Sequence, residues 1–140
     1  MTEKYKILAR YVRDMSSETP DVETYLFVKD NISNYSLNID IKSKFLKENV
    51  IQVETTLTYS DKTQNKRKSF FETIFATVIR VKEDVKDKKE LGRIVLCDLQ
   101  NEIYPELEKT FLSLMNGSGF TELKFAKKVD FEELYKKNKN

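Results

Sequence analysis

From its first residues the chain alternates. Tyr5, Ile7, Ala9 and Tyr11 fall on one side, with Lys6, Arg10 and Asp14 among the residues opposite. A period of two marks a half-buried strand, so residues 4–15 read as a first strand, ended at the latest by Pro20. The pattern returns in "YSLNIDIKSKFL", with Leu37, Ile39 and Ile41 on one face. It returns again in "NVIQVETTLTYS", with Ile51, Val53, Thr55, Leu57 and Tyr59 on one face. The intervening "KEN" is a short hairpin signal, and "DKTQNK" is a second polar turn. The fourth stretch, "KSFFETIFATVIRV" from Lys68 to Val81, differs. Its even positions carry Phe70, Ile74, Ala76 and Val78, and its odd positions Phe71, Phe75, Ile79 and Val81. A strand apolar on both faces needs cover on both. Four strands with short turns between the last three predict an antiparallel meander.

Residues 16–34 mix Ser, Thr, Asp, Asn and Pro around an apolar island, "YLFV", and read as a long, ordered crossover or loop. After Val81 the period changes. Leu99, Ile103, Leu107, Phe111 and Leu114 recur at helical spacing and form one apolar stripe. Pro105 interrupts that stripe, either as the first residue of a helix or as a kink within a longer one. Gly117 and Gly119 predict its end. The tail "DFEELYKKNKN" reads as a short last helix fraying into a basic end over residues 136–140.

Composition narrows the chemistry. The 140 residues suit a single domain spanning 1–140. Charged residues make up 34%, yet 25 Lys and Arg nearly cancel 23 Asp and Glu, leaving +2. A nucleic-acid binder shows a more lopsided balance, so no nucleic-acid partner is expected. The chain has no histidine, which removes His-dependent catalysis and imidazole metal ligands. Three glycines cannot write a phosphate-binding loop, and no cofactor is expected. The single cysteine, Cys97, reads as a small buried hydrophobe and excludes an intramolecular disulfide. No run approaches the roughly 20 apolar residues of a membrane span, and the charged N-terminus does not read as a signal peptide. A cytoplasmic protein without membrane insertion is the expectation.

Five segments, in order, resemble one family. "RYVRDMSSETP" (Arg10 to Pro20) is similar to the first-strand motif of SecB, the bacterial protein-export chaperone. "LFVKD" (Leu26 to Asp30) and "LNID" (Leu37 to Asp40) resemble the segments that follow it there. "YPELEKTFLSLMNGSGF" (Tyr104 to Phe120) resembles the family's aromatic–Pro helix and Gly-containing turn, and "LKFAKKVDFEELY" (Leu123 to Tyr135) its C-terminal segment. The chain departs from the pattern in having Asn31 where a tryptophan is common, Ala76-Thr77 where Gly-Gly is common, and a basic rather than acidic tail.

The resemblance implies an α+β fold: a four-stranded antiparallel sheet with a long C-terminal helix and short helices packed on one face, assembled as a dimer-of-dimers tetramer. It implies an ATP-independent holdase that binds unfolded precursor polypeptides in apolar grooves. Those precursors are delivered to the SecA motor for export across the inner membrane. By position it assigns SecA docking to Asp14, Glu18, Phe70 and Glu72. On a continuous strand the first two lie roughly 13 Å apart at about 3.3 Å per residue. Aromatic and aliphatic candidates for the client groove are Tyr25, Phe27, Val78, Ile79, Ile103 and Tyr104, and the oligomer interface is expected at Phe71, Thr73 and Phe75. Three other readings stand beside it. One is a small-molecule-binding or enzymatic domain holding Glu72 in a pocket under the sheet. Another is a plain structural dimer module. The third is a SecB-like chaperone dedicated to a toxin–antitoxin system.

Overall fold

The computed structural model describes residues 4–63, 65–125 and 128–138. Its four strands are β1 (Tyr5–Glu18), β2 (Tyr35–Lys47), β3 (Val50–Asp61) and β4 (Phe70–Val81). They form one antiparallel sheet in the order β1-β4-β3-β2. The last three strands are the predicted meander. The first joins the sheet beside the fourth, so a connection must cross from one edge to the other. Residues 16–34 make that connection. They do not form a loop throughout: β1 runs on to Glu18, and α1 (Val22–Asp30) follows. Asp21 caps α1 by accepting a hydrogen bond from the Thr24 amide at 2.8 Å. Asn31 closes it by donating its side-chain amide to the Phe27 carbonyl at 2.8 Å.

The β2–β3 hairpin turns on Glu48 and Asn49. Asn49 takes φ +59°, a left-handed conformation that asparagine tolerates better than most residues. The helical stretch starts at Lys88, not directly after Val81. It comprises α2 (Lys88–Arg93), a π turn (Ile94–Asp98) and α3 (Leu99–Gly117). The π turn has a buried polar support. The fully buried Gln100 donates to the Val95 carbonyl at 3.0 Å and accepts from the Thr55 hydroxyl of β3 at 2.9 Å. Pro105 lies inside α3 on its exposed side, where the hydrogen bond it cannot donate to Asn101 is lost at the solvent-facing surface of the helix rather than in the core. Leu99, Ile103, Leu107 and Phe111 are fully buried, and Met115 rather than Leu114 completes the stripe. The final helix, α4, spans Phe131–Asn138. No helix among the described residues is long and apolar enough to cross a membrane.

The two faces of β4 now separate. The odd face is the core: Phe71 and Thr73 are 0% exposed and Phe75 3%, under helices of the same chain. The expected subunit contact through Phe71, Thr73 and Phe75 is therefore corrected. These side chains are already covered and cannot reach another protomer. The even face is the open one. Glu54 of β3 lies opposite Ala76 and pairs with Arg13 of β1 at 2.6 Å, bridging over β4 and leaving Ala76 fully covered. Val78 and Ile74 are half-buried and Phe70 is exposed.

Edge strand β1 is open on both sides. Leu8, Tyr11, Val12 and Met15 keep 38–48% of their surface. Two bulges, between Ile7 and Ala9 and between Val12 and Asp14, fall among them. These placements separate two substitutions. Phe75→Asp buries an unpaired charge and is expected to abolish cooperative folding. Tyr11→Asp is expected to leave the fold intact. Thermal unfolding followed by near-UV circular dichroism checks both, and a folded Phe75→Asp protein would reject the assignment of core and open faces.

Candidate functional site

Two surfaces collect chemistry. The first is the open sheet face where β1 meets β4. The register sets Glu18 opposite Phe70, Ser16 opposite Glu72 and Asp14 opposite Ile74, so all six project from one face. The structure thus brings Asp14, Glu18, Phe70 and Glu72 together. Asp14 accepts from the Ser16 hydroxyl at 2.8 Å, and Glu72 accepts from Thr58 across the sheet at 3.3 Å. The result is a surface patch of three carboxylates, Asp14 and Glu18 exposed and Glu72 half-buried, on one face with the exposed Phe70 ring. Glu72 stands on this outward face and not in a pocket beneath the sheet, which removes the geometry that the enzymatic reading requires.

The second surface is a groove of about 700 Å³ between β2 and the segment leading into α4. Tyr35, Leu37, Ile39, Tyr59, Phe125 and Leu134 line it with apolar surface. Beneath them the rings interlock: Tyr59 lies 5.6 Å from Tyr35, 5.7 Å from Phe125 and 6.3 Å from Phe111. Burial pushes the Tyr59 and Tyr35 hydroxyls above their ordinary pKa, so both stay neutral. Lys124, Lys128 and Lys137 stand at the groove's rim. A smaller groove of about 570 Å³ adjoins at Lys124 and extends past Gly119 to Ile32.

The wall formed by α4 is fixed by one arginine. Arg93 of α2 pairs with both oxygens of Glu132, lies 3.7 Å from Asp98, and sits 5.8 Å from the Tyr135 ring centre. This pairing holds the Glu132 carboxyl below its ordinary pKa. Its contribution is complete above the ordinary carboxylate range and is lost as the pH falls through the lowered value. Phe131 anchors the helix start against Tyr104 at 5.3 Å. Cys97, buried beside this hub, has its pKa raised chiefly by desolvation.

The sequence-based groove residues mostly lie elsewhere. Ile79, Ile103 and Tyr104 are buried core side chains, which corrects their assignment to an open groove. Burial pushes the Tyr104 hydroxyl up to about 12, in keeping with an interior position. Val78 lies half-buried on the open sheet face, and Phe27 is half-buried on α1. Tyr25 has a structural task. Its hydroxyl donates to the Gly119 carbonyl at 2.7 Å, and its ring lies 5.4 Å from Phe120. Residues 117–120 close α3 in a Schellman motif, with Phe120 N–H on Met115 O at 2.9 Å and Gly119 N–H on Asn116 O at 3.1 Å. The local alternation of β2 marked Leu37 and Ile39 as core-facing, but nothing in it marked them as groove lining. That role depends on a segment nearly 90 residues away.

Comparison with known proteins places this architecture. The family model described as "Preprotein translocase subunit SecB" matches residues 1–140. The chain belongs to the SecB family. A relative named as a putative protein-export protein SecB, from Pelagibacter ubique, is 51% identical over 140 residues, all of both chains. The protein-export protein SecB of Idiomarina loihiensis is 24% identical, covering 96% of this chain and 79% of the relative. A solved SecB-like chaperone of Mycobacterium tuberculosis, in complex with a ChAD peptide from an antitoxin, superposes with a TM-score of 0.62. It has 12% identity over 87% of this chain and 86% of that one, and so shares the fold. This is a SecB-family protein-export chaperone, and its sheet and long helix are those of a SecB-like fold.

The Gly119–Tyr25 contact bounds the smaller groove and is directly testable. Gly119 has φ +101°, and a Cβ there would lie 2.6 Å from the Tyr25 ring. Gly119→Ala is expected to cost about 1–3 kcal/mol through strain and displacement of Tyr25. Urea unfolding measures it, and an unchanged midpoint would contradict the contact.

Proposed function

We propose that this chain is an ATP-independent holdase of the cytoplasm that keeps precursor proteins unfolded and delivers them to SecA for export across the inner membrane. The observation that carries the reading is the whole-chain SecB match together with an open, aromatic-lined groove. Apolar burial is non-directional, so such a groove accepts many unfolded sequences. The groove between β2 and α4 takes the client role first expected of Tyr25, Phe27, Val78, Ile79, Ile103 and Tyr104; of these, Tyr25 supports the adjoining wall.

The working unit is a dimer of dimers. Support comes from β1, an edge strand whose apolar side chains are exposed on both faces and whose outer backbone groups have no partner within the sheet. Pairing β1 with its copy would continue the sheet and cover Leu8, Tyr11, Val12 and Met15. Several grooves on one assembly would then hold a single client by summed weak contacts.

Asp14, Glu18 and Glu72, grouped around Phe70, form the SecA-docking patch. Three carboxylates suit a basic partner, with electrostatics setting encounter rate and orientation. Replacing Asp14 and Glu18 with Lys is expected to weaken SecA binding at least tenfold while leaving suppression of client aggregation unchanged. Calorimetric titration with SecA and light scattering of a denatured precursor, without nucleotide, give the two readouts. Normal SecA binding by the double variant would reject the docking patch. Failure of the unaltered chain to suppress aggregation would reject the holdase.

A further inference from the structure

The tip of the β2–β3 hairpin belongs to neither surface described above. β2 lines the groove only from Tyr35 to Ile39. Phe45 lies about 20 Å further along the strand at roughly 3.3 Å per residue. There the chain bares two adjacent apolar side chains, Phe45 at 68% exposure and Leu46 at 47%. Phe45 stands opposite Ile51 of β3, which is only 2% exposed. The cover that shields Ile51 stops short of Phe45, and neither Phe45 nor Leu46 packs against the core. A bulge between Phe45 and Lys47 takes Leu46 out of the ladder. The β1 edge, where a second copy would pair, is at the other side of the sheet and leaves the hairpin uncovered.

The same end of the sheet is basic. On the open face the register sets Lys6 of β1 opposite Arg80 of β4, Arg80 opposite Val50 of β3, and Val50 opposite Lys47 of β2. Lys44 and Lys42 follow on that face of β2. All of these cations are exposed. Among the described residues, none of them lies within ion-pair distance of a carboxylate. Glu48 is the only carboxylate between residues 41 and 53. Glu83 and Asp84, just after β4, stand between Lys82 and Lys86. The open face therefore has two poles: Asp14, Glu18 and Glu72 at one end, and this cationic row about 33 Å away along β4 at roughly 3.3 Å per residue.

Unpaired cations call for an anionic partner. Two hairpin tips of this chain would set like charges against each other, so a second tip is a poor occupant. A stable protein interface buries about 800 Å² on each side, and a narrow hairpin tip with two apolar side chains offers little of that. A bilayer yields around a convex tip, accepts Phe and Leu at headgroup level and meets lysines with phosphate charge. We propose that the β2–β3 hairpin tip is a peripheral membrane-docking element. Phe45 and Leu46 enter the headgroup layer of an anionic phospholipid surface, and Lys42, Lys44, Lys47 and the Lys6–Arg80 pair meet its phosphates. The contact is reversible and uses no spanning helix. Neither part suffices alone, because stable attachment to a membrane surface takes apolar and electrostatic contributions together. The proposal goes beyond the SecA-docking reading and does not rest on it; the acidic pole stays clear of the membrane at the far end of the same face.

The chain has no tryptophan, so Phe45→Trp places a single reporter at the tip and Phe70→Trp one at the acidic pole. Each full-length variant is titrated with vesicles of phosphatidylcholine containing roughly one third phosphatidylglycerol, and with phosphatidylcholine vesicles alone. The Phe45→Trp emission is expected to shift to the blue and to be quenched by brominated lipid, with the anionic vesicles only. The Phe70→Trp emission is expected to stay unchanged. In vesicle co-sedimentation, replacing Lys42, Lys44 and Lys47 with Gln should weaken binding about a hundredfold, at about fivefold for each lysine. Phe45→Ser/Leu46→Ser should weaken it at least tenfold, and added salt should weaken binding of the unaltered chain. No association at low salt, equal association with neutral vesicles, or binding that survives both multiple variants overturns the proposal. A Phe45→Trp emission already blue-shifted without lipid, and rising with protein concentration, would mean that a second copy covers the tip. A shift produced by a soluble acidic protein but not by vesicles would make the occupant a protein. Either result overturns the membrane role and leaves the docking patch and the groove untouched.

Discussion

The structure depends on one constraint: a twisted four-stranded sheet covered by helices on a single face. Every other feature answers what happens to the face and the two edges left over. On the covered side, β4 contributes Phe71, Phe75 and Ile79, and α3 meets them with Leu99, Ile103, Leu107 and Phe111. On the open side the chain supplies its own partial cover, with Arg13 and Glu54 reaching over Ala76. What remains open there is acidic near Phe70 and sparsely apolar elsewhere. The edges divide the remaining work. The β1 edge is apolar on both faces and suits a like partner, whereas the β2 edge borders an aromatic groove with a basic rim.

Local devices keep the groove's walls in place. The Schellman closure of α3, locked by Tyr25 on Gly119, sends the chain back toward β2. Arg93 then fastens α4 through Glu132 and Tyr135. Arg93 immediately precedes the π turn, whose Val95 carbonyl accepts from the Gln100 side chain. The buried Gln100 side chain links this irregular turn to β3 through Thr55, so its polar atoms are satisfied in the core.

Much of the fold was legible because period-two and period-3.6 patterns are local. Strands β2 and β3 followed from alternation, β4 from its apolar run between turns, and the α3 stripe from spacing, apart from its last member, Met115 in place of Leu114. Helix α1 was not legible as a helix. Only Thr24 and Val28 are buried along it, too few to write a helical stripe, and the telling signal was the cap formed by Asp21 and Thr24. The face of β4 that meets the core was undecidable from its own residues, since both sets are apolar. Register with β3 and β1 decides it. The acidic patch was reachable through family resemblance, because Asp14, Glu18 and Glu72 occupy motif positions. The groove was not, because its two sides come from distant segments that share no pattern.

The account stands most directly on assembly state and client uptake together. Native mass spectrometry of the purified chain, alone and with an unfolded signal-bearing precursor, measures both at once. A mass of four chains that takes up one precursor is the expected result. A monomer that ignores the precursor would contradict it, because the exposed apolar edge of β1 would then have no copy to cover it and the aromatic groove no client.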